Sequence, residues 1–284
     1  MIPLDDLDRV TAKMREPGAA DILTAYERAQ WEQSTEKERI EALKSIIFHP
    51  VGYNLHHWFM FNWFTKTKWL EALRAVGLSA PASMVELATG AGDMLPQLMA
   101  KYYSHRETRY TSVNKNKLLT AEFKQRTKDF PLKIEVIEDA AQNADRLFGE
   151  NKADIVVFEH SFNDIAEDLI ARAHGMDTVN TNWFDILPKM IEITNKAYAD
   201  GSYEKILKES FVQMIGSLLK ISKPGSFVIS YQFHYQGDID MGINPEIWTT
   251  LVSSVRGWLR EKNIGTEVFF EGFEPNWWMF LKNT

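Results

Sequence analysis

Met84-Val85-Glu86-Leu87-Ala88-Thr89-Gly90-Ala91-Gly92-Asp93 passes from an apolar run, acidic near its end, into a turn of small residues. A helical pattern follows at once in Met94-Leu95-Pro96-Gln97-Leu98-Met99-Ala100. Strand, glycine turn and helix in this order bring a backbone close to a nucleotide-like ligand. Ala88, Gly90 and Gly92 keep side chains away from the sharp bend, and the glycines can adopt a positive φ without a Cβ clash. The dinucleotide-binding glycine pattern would place a further Gly at position 95, where Leu95 stands.

Outward from this turn, strand and helix signals alternate. Strands are expected at 83–87, 109–113, 132–137, 153–159 and 226–231. The run Ala153-Asp154-Ile155-Val156-Val157-Phe158-Glu159 has the continuous apolar character of a strand buried on both faces. A long helical region, 165–221, is broken near 175–182 and at Asp200-Gly201. Lys223-Pro224-Gly225 reads as a turn, and 245–262 as a helix. The segments 266–270 and 276–281, with Gly272 and Pro275 between them, suit an antiparallel hairpin with a five-residue loop. Alternating strands and helices imply a parallel sheet covered on both faces.

Residues 1–80 read as helical, with no strand before Met84. They are expected to form an N-terminal helical lid or attachment to a Rossmann-like domain over 81–284, with 165–221 as a helical insert. Trp58, Phe61 and Trp69 are expected to pack helix against helix. The adjacent His56 and His57 project in different directions on a helix and make a poor metal pair, so no metal site is expected.

The chain has 284 residues, 45% of them hydrophobic, and a net charge of −7. No basic stripe marks a nucleic-acid partner. Cysteine is absent, which excludes disulfides, thiolate metal sites and a cysteine nucleophile, and fits a cytoplasmic protein. The N-terminus is acidic and lacks the apolar core of a signal peptide. No apolar run approaches the ~20 residues of a membrane span.

The segment Glu86-x-Ala88-x-Gly90-x-Gly92 resembles motif I of the class I S-adenosylmethionine (SAM)-dependent methyltransferases, with Ala at the first glycine position. Ala serves there if the position asks for small size and not for a positive φ. Lys223-Pro224-Gly225 before the fifth strand and the terminal hairpin extend the resemblance over roughly residues 83–284. It implies an α/β fold: a doubly wound, mostly parallel seven-stranded sheet ending in an antiparallel hairpin, with SAM as cofactor.

The resemblance also implies a site at the carboxyl ends of the strands. Glu86, with the backbone of Ala88, Thr89, Gly90 and Gly92, would hold the amino-acid end of SAM. Asn114 stands where the family usually has an acid on the ribose hydroxyls; an amide can accept one hydroxyl and donate to the other. Asp139 and Ala140 match the adenine-binding position, with Glu138 as the alternative acid. The polar end of the fourth strand, Glu159-His160-Ser161-Phe162-Asn163-Asp164, falls beside the sulfonium and the acceptor. His160 is a candidate base or a structural histidine, and Asp164 a candidate to orient it or to cap the next helix. Tyr53, His234 and Tyr235 are candidates for lining the acceptor pocket. The expected activity is methyl transfer to a small molecule, with no nucleic-acid or membrane partner. One alternative keeps the fold and cleaves SAM at its γ-carbon, releasing methylthioadenosine, as azetidine-2-carboxylate synthases and aminocarboxypropyl transferases do. Another is a non-catalytic SAM-fold binding subunit.

Overall fold

A computed structural model describes residues 4–48, 58–233 and 236–284. Tyr53, His56, His57, His234 and Tyr235 lie outside them.

Five strands run parallel: β1 (Ser83–Leu87), β2 (Arg109–Val113), β3 (Lys133–Ile137), β4 (Ala153–Glu159) and β5 (Ser222–Tyr231). The chain ends in β6 (Thr266–Val268) and β7 (Trp278–Lys282), with β7 antiparallel to both β5 and β6. The order across the sheet is β3-β2-β1-β4-β5-β7-β6. It reverses between β1 and β4, which makes that edge the switch point where such sheets bind ligands. This is the expected α/β architecture, down to the antiparallel seventh strand.

Two local expectations change. Lys223-Pro224-Gly225 lies inside β5 as a bulge: between the pairs Ala153↔Ser222 and Ile155↔Phe227, β4 advances two residues while β5 advances five. Gly225 there takes φ 80, and its N–H donates to Asn283 O at 2.8 Å. The final hairpin has a longer connection, 269–277, than the five residues expected. Gly272 turns it at φ 81, and its carbonyl accepts from Lys68 Nζ at 2.9 Å and from Arg9 at 3.3 Å. The loop is therefore tied to the N-terminal helices instead of extending the ladder.

The N-terminal helices are α1 (Leu4–Met14), α2 (Ala25–Gln33), α3 (Glu36–Phe48) and α4 (Trp58–Ala75). They share one core with a face of the sheet, through Trp63, Trp69, Met84, Ile155, Val157 and Ile229. α4 is buried over most of its length, its polar residues Asn62, Lys66 and Lys68 included, so those side chains need partners within the fold. Trp69 packs edge-on against Trp278 at 5.0 Å. Lys66, also in α4, is buried against Glu27 of α2 at 2.8 Å. The same face carries α5 (Met94–Tyr102) and α6 (Lys117–Thr127), the latter through Phe123. After the short α7 (Ala144–Leu147), the opposite face is covered by α8 (Phe162–Ala173), α9 (Trp183–Ala199), α10 (Ser202–Ile221) and α12 (Pro245–Glu261), with α11 (Gln236–Asp240) between β5 and α12. The expected breaks near 175–182 and 200–201 separate α8, α9 and α10.

Candidate cofactor site

β1 ends by turning the backbone into the left-handed region. Ala88 has φ 52 and Gly90 φ 62. The Ala88 N–H donates to Val113 O at 2.8 Å, which holds the bend against β2. The first glycine position of the motif therefore does require a positive φ, and small size alone does not account for it. Alanine occupies it at a strain of about 1–2 kcal/mol. A methyl group added at Gly90 would meet no protein atom within 4 Å, whereas one at Gly92 would press on Thr89 O at 3.4 Å. Thr89 turns its hydroxyl inward, where it accepts from Ser112 Oγ at 2.9 Å. Asn114 donates to Gly90 O at 2.9 Å. Its amide N–H thus fastens the glycine loop to the end of β2.

A cleft lies over these strand ends, enclosing about 470 Å³ when counted out to its open mouth. Ala88, Gly90 and Asn114 form one wall; Asp139, Ile165 and Trp183 contribute others. Asp139 lines the cleft, while Glu138 points to solvent and pairs with Lys124 at 2.6 Å. The Ala140 N–H is engaged by Asp139 Oδ1 at 2.6 Å, and Ala141 lines the cleft beyond it. The segment 177–182 folds over the start of α6: Asn116 Nδ2 donates to Thr178 O and Thr181 O, both at 2.9 Å, and the Lys117 N–H to Val179 O at 3.0 Å. That brings Trp183 to the cleft wall. Lys115 and Asp168 form an ion pair in the lining, and Asp168 also accepts from Thr178 Oγ1 at 2.6 Å and pairs with Arg172 at 3.1 Å.

The end of β4 is held as tightly as that of β1. His160 has φ 47, and its N–H donates to Tyr231 O at 2.8 Å. Its ring is buried and stacks on Phe233 at 3.9 Å between centroids. Nδ1 accepts from Gln232 Nε2 at 3.1 Å and from the Phe233 N–H at 3.4 Å. Gln232 also donates to Asn163 Oδ1 at 2.9 Å, and Asn163 donates to Asp164 Oδ1 at 3.0 Å. Asp164 is thus linked to His160 through two amides, not by direct contact. Ser161 Oγ donates to Leu87 O at 2.9 Å, joining the ends of β1 and β4.

Buried carboxyl groups dominate the electrostatics. Glu86 accepts a hydrogen bond from the Tyr110 hydroxyl. Its pKa is raised well above the usual range by burial, then by Glu159 and Asp93. Burial raises Glu159 to about 7. Asp164 rises to about 8 through burial and the charges of Asp238, Glu159 and Asp168. Glu167 and Asp238 are raised too, the latter to about 6, both chiefly by burial. Such shifts gather where a site has work for a proton or a cation. Among the described residues, no group of three or more His, Asp or Glu side chains is placed to hold a metal ion.

Sequence reasoning did not single out Lys115, Asp168, Glu167 or Asp238. Glu167 and Asp168 lay in an amphipathic helix where acids are ordinarily solvated, and no local pattern distinguishes a buried one. Asp238 reaches the site only through the packing of α11.

No protein-family model and no curated protein sequence matches this chain. Among solved structures, it is similar to a SAM-dependent methyltransferase from Aquifex aeolicus, at 12% identity and a TM-score of 0.43 over 75% of this chain and 86% of that one. It is also similar to the [4+2]-cyclase SpnF, at 12% identity and a TM-score of 0.44 over 72% of this chain. A third is the cyclopropane synthase MmaA2 from Mycobacterium tuberculosis, at 12% identity and 0.40 over 68% of this chain. The match spans 59% of each of the latter two proteins. At this level the likeness reaches no further than the sheet architecture; the fold class rests on the strand order itself.

Proposed function

We propose that this chain binds SAM in the cleft over β1, β2 and β4 and transfers its methyl group to a small molecule. The observation that carries the reading is a pair of carboxyls, the buried Glu86 and the half-buried Glu159, at the ends of the two strands flanking the switch point. Burial raises both, the acids Glu159 and Asp93 add to it at Glu86, and among the described residues no cation lowers either. A ligand ammonium beside the glycine loop would supply the missing charge. Gly90, with open space where a side chain would stand, leaves room for the backbone to approach it. Asp139 and Trp183 border the end of the cleft suited to an adenine, and Asn114 lies between, beside the ribose position.

SAM supplies a methyl carbon made electrophilic by its sulfonium. The protein's part is to orient it, exclude water and accept the proton an acceptor loses. Of the candidate bases, His160 is the weaker. Its Nδ1 already accepts two N–H donors, so His160 serves as a positioning residue for the β4 turn. Asp164, on the cleft wall with a pKa near 8, suits a proton acceptor at neutral pH. Residues 1–80 serve in this reading as the helical attachment bordering the acceptor side, reaching it through Phe61, which packs on Phe233 at 4.7 Å.

The test is a product assay by mass spectrometry, with purified protein, SAM and a panel of small acceptors. Release of S-adenosylhomocysteine with a methylated acceptor is the expected result. Methylthioadenosine from SAM alone would instead mean cleavage at the γ-carbon.

A further inference from the structure

Two buried amides, Gln232 just past β5 and Asn163 in the first turn of α8, connect the strand ends to Asp164. Main-chain donors fix which way round they stand. The Phe233 N–H points at His160 Nδ1 at 3.4 Å, so that nitrogen carries no proton. The Gln232 atom 3.1 Å from the same nitrogen must then be the amide nitrogen, Nε2. The Asn163 N–H reaches the other end of the Gln232 amide at 3.4 Å, which is the place for the oxygen, Oε1. Gln232 Nε2 also meets the Asn163 side chain at 2.9 Å, and a donor there makes the contacting atom Oδ1. The Asn163 amide nitrogen is left to face Asp164 Oδ1, at 3.0 Å. The backbone at both ends of Gln232 thus sets the orientation of both amides.

That orientation decides what Asp164 meets. Asp164 lines the cleft, and the charged groups around it are acids: Glu159 of β4, Glu167 and Asp168 of α8, and Asp238 of α11. Each favours the protonated carboxyl. Lys115, the cation in the lining, is held by Asp168. An N–H donated to Oδ1 works the other way and favours the carboxylate. It also leaves Oδ2 for a ligand in the cleft. We propose that Gln232 and Asn163 are positioning residues acting in series on Asp164. Gln232 fixes the Asn163 amide, and Asn163 donates to the carboxylate, so that Asp164 can take the proton of the methyl acceptor. The inference rests on the methyl-transfer reading of the cleft. On transfer, the acceptor atom forms its bond to the methyl carbon as the carbon–sulfur bond breaks. The electron pair of that bond goes to sulfur, and the acceptor's proton passes to Asp164.

Carboxyl-carbon NMR of the ligand-free protein follows the titration of Asp164, assigned by the signal missing in Asp164→Asn. Asn163→Leu should raise the proton affinity of Asp164 about tenfold or more. Gln232→Met should raise it by less, since it only frees the Asn163 amide to turn, and should add nothing once Asn163 is replaced by Leu. A proton affinity unchanged in Asn163→Leu overturns the proposal, as does a Gln232→Met effect that persists in the double variant. Should a variant fail to fold, imidazole-nitrogen NMR of the unaltered protein decides. The expected His160 Nδ1 signal is that of an unprotonated acceptor; a proton there would reverse both amides and overturn the proposal. Calorimetric titration of SAM into the same samples keeps the two readings apart. A protein that takes up no SAM removes the methyl-transfer reading, while the proton affinities alone judge the amide pair.

Discussion

Ala88 and His160 stand just beyond the ends of adjacent parallel strands, and both take a positive φ that L-residues with a Cβ seldom adopt. The bend at Ala88 borders the cleft, and the bend at His160 ties the end of β4 to β5 through Tyr231 O. Replacing Ala88 by Gly removes the Cβ clash and adds some unfolded-state entropy. The net expectation is a gain of up to about 1 kcal/mol, or about 2–4 °C in Tm, with SAM affinity held or improved. A lower Tm in a thermal melt would contradict it. Glu159 and Asp164 bring a pH dependence with a definite sign. Their pKa values, about 7 and about 8 when folded, lie above those of the unfolded chain at about 4. The folded protein therefore holds more protons between those limits, and its stability falls as pH rises from about 4 through 8. Thermal melts of ligand-free protein should show this fall, and Glu159→Gln should flatten it. SAM affinity runs the other way, rising with pH through about 7 as Glu159 ionises. At this scale the sequence named Gly90, Asn114, Asp139 and Asp164, which line the cleft, and Glu86, Glu159 and His160, which do not. It missed Glu167 and Asp238 because burial of an acid is a tertiary fact.

α4 carries the contact between the N-terminal helices and the sheet. Trp69 is fully buried between Trp278 and Tyr231, so Trp69→Ala should cost about 3–5 kcal/mol, measured by urea unfolding. The buried pair Lys66–Glu27 has a different signature. Lys66→Met alone leaves the Glu27 carboxylate and its Asn62 donor buried without the counter-charge and should cost about 3–5 kcal/mol. The double change Lys66→Met with Glu27→Leu should recover most of that loss. Recovery of none of it would mean that Lys66 matters through packing. The expected helix-against-helix packing of Trp58, Phe61 and Trp69 does not hold: Trp69 packs on the sheet through Tyr231 and Trp278, Phe61 on Phe233 just past β5, and Trp58 is exposed, because which element an aromatic face meets is set by the tertiary fold and not by the local pattern. The final hairpin was legible as a pair of strands. Its loop came out longer, because Gly272 O accepts from Lys68 and Arg9, contacts distant in sequence.

Across the whole molecule, period-two and continuous apolar runs separated by helical patterns were enough to place seven strands, and the handedness of strand–helix–strand crossovers left few topologies to choose from. The sheet order then locates the site at the β1/β4 switch point without reference to any relative. What pattern could not supply is the roof: α8, α9 and α11 determine which acids are buried and what the cleft admits, and their packing is long-range. The acidic groups gathered beneath that roof make the molecule, in this account, a receptor for a cation at the glycine loop. Calorimetric titration of SAM into the purified protein tests this most directly, with Glu159→Gln alongside. Saturable one-to-one binding is expected, strengthening as pH rises through about 7 and weakened about tenfold or more in the variant. Absence of binding, or binding indifferent to both pH and Glu159, would contradict it.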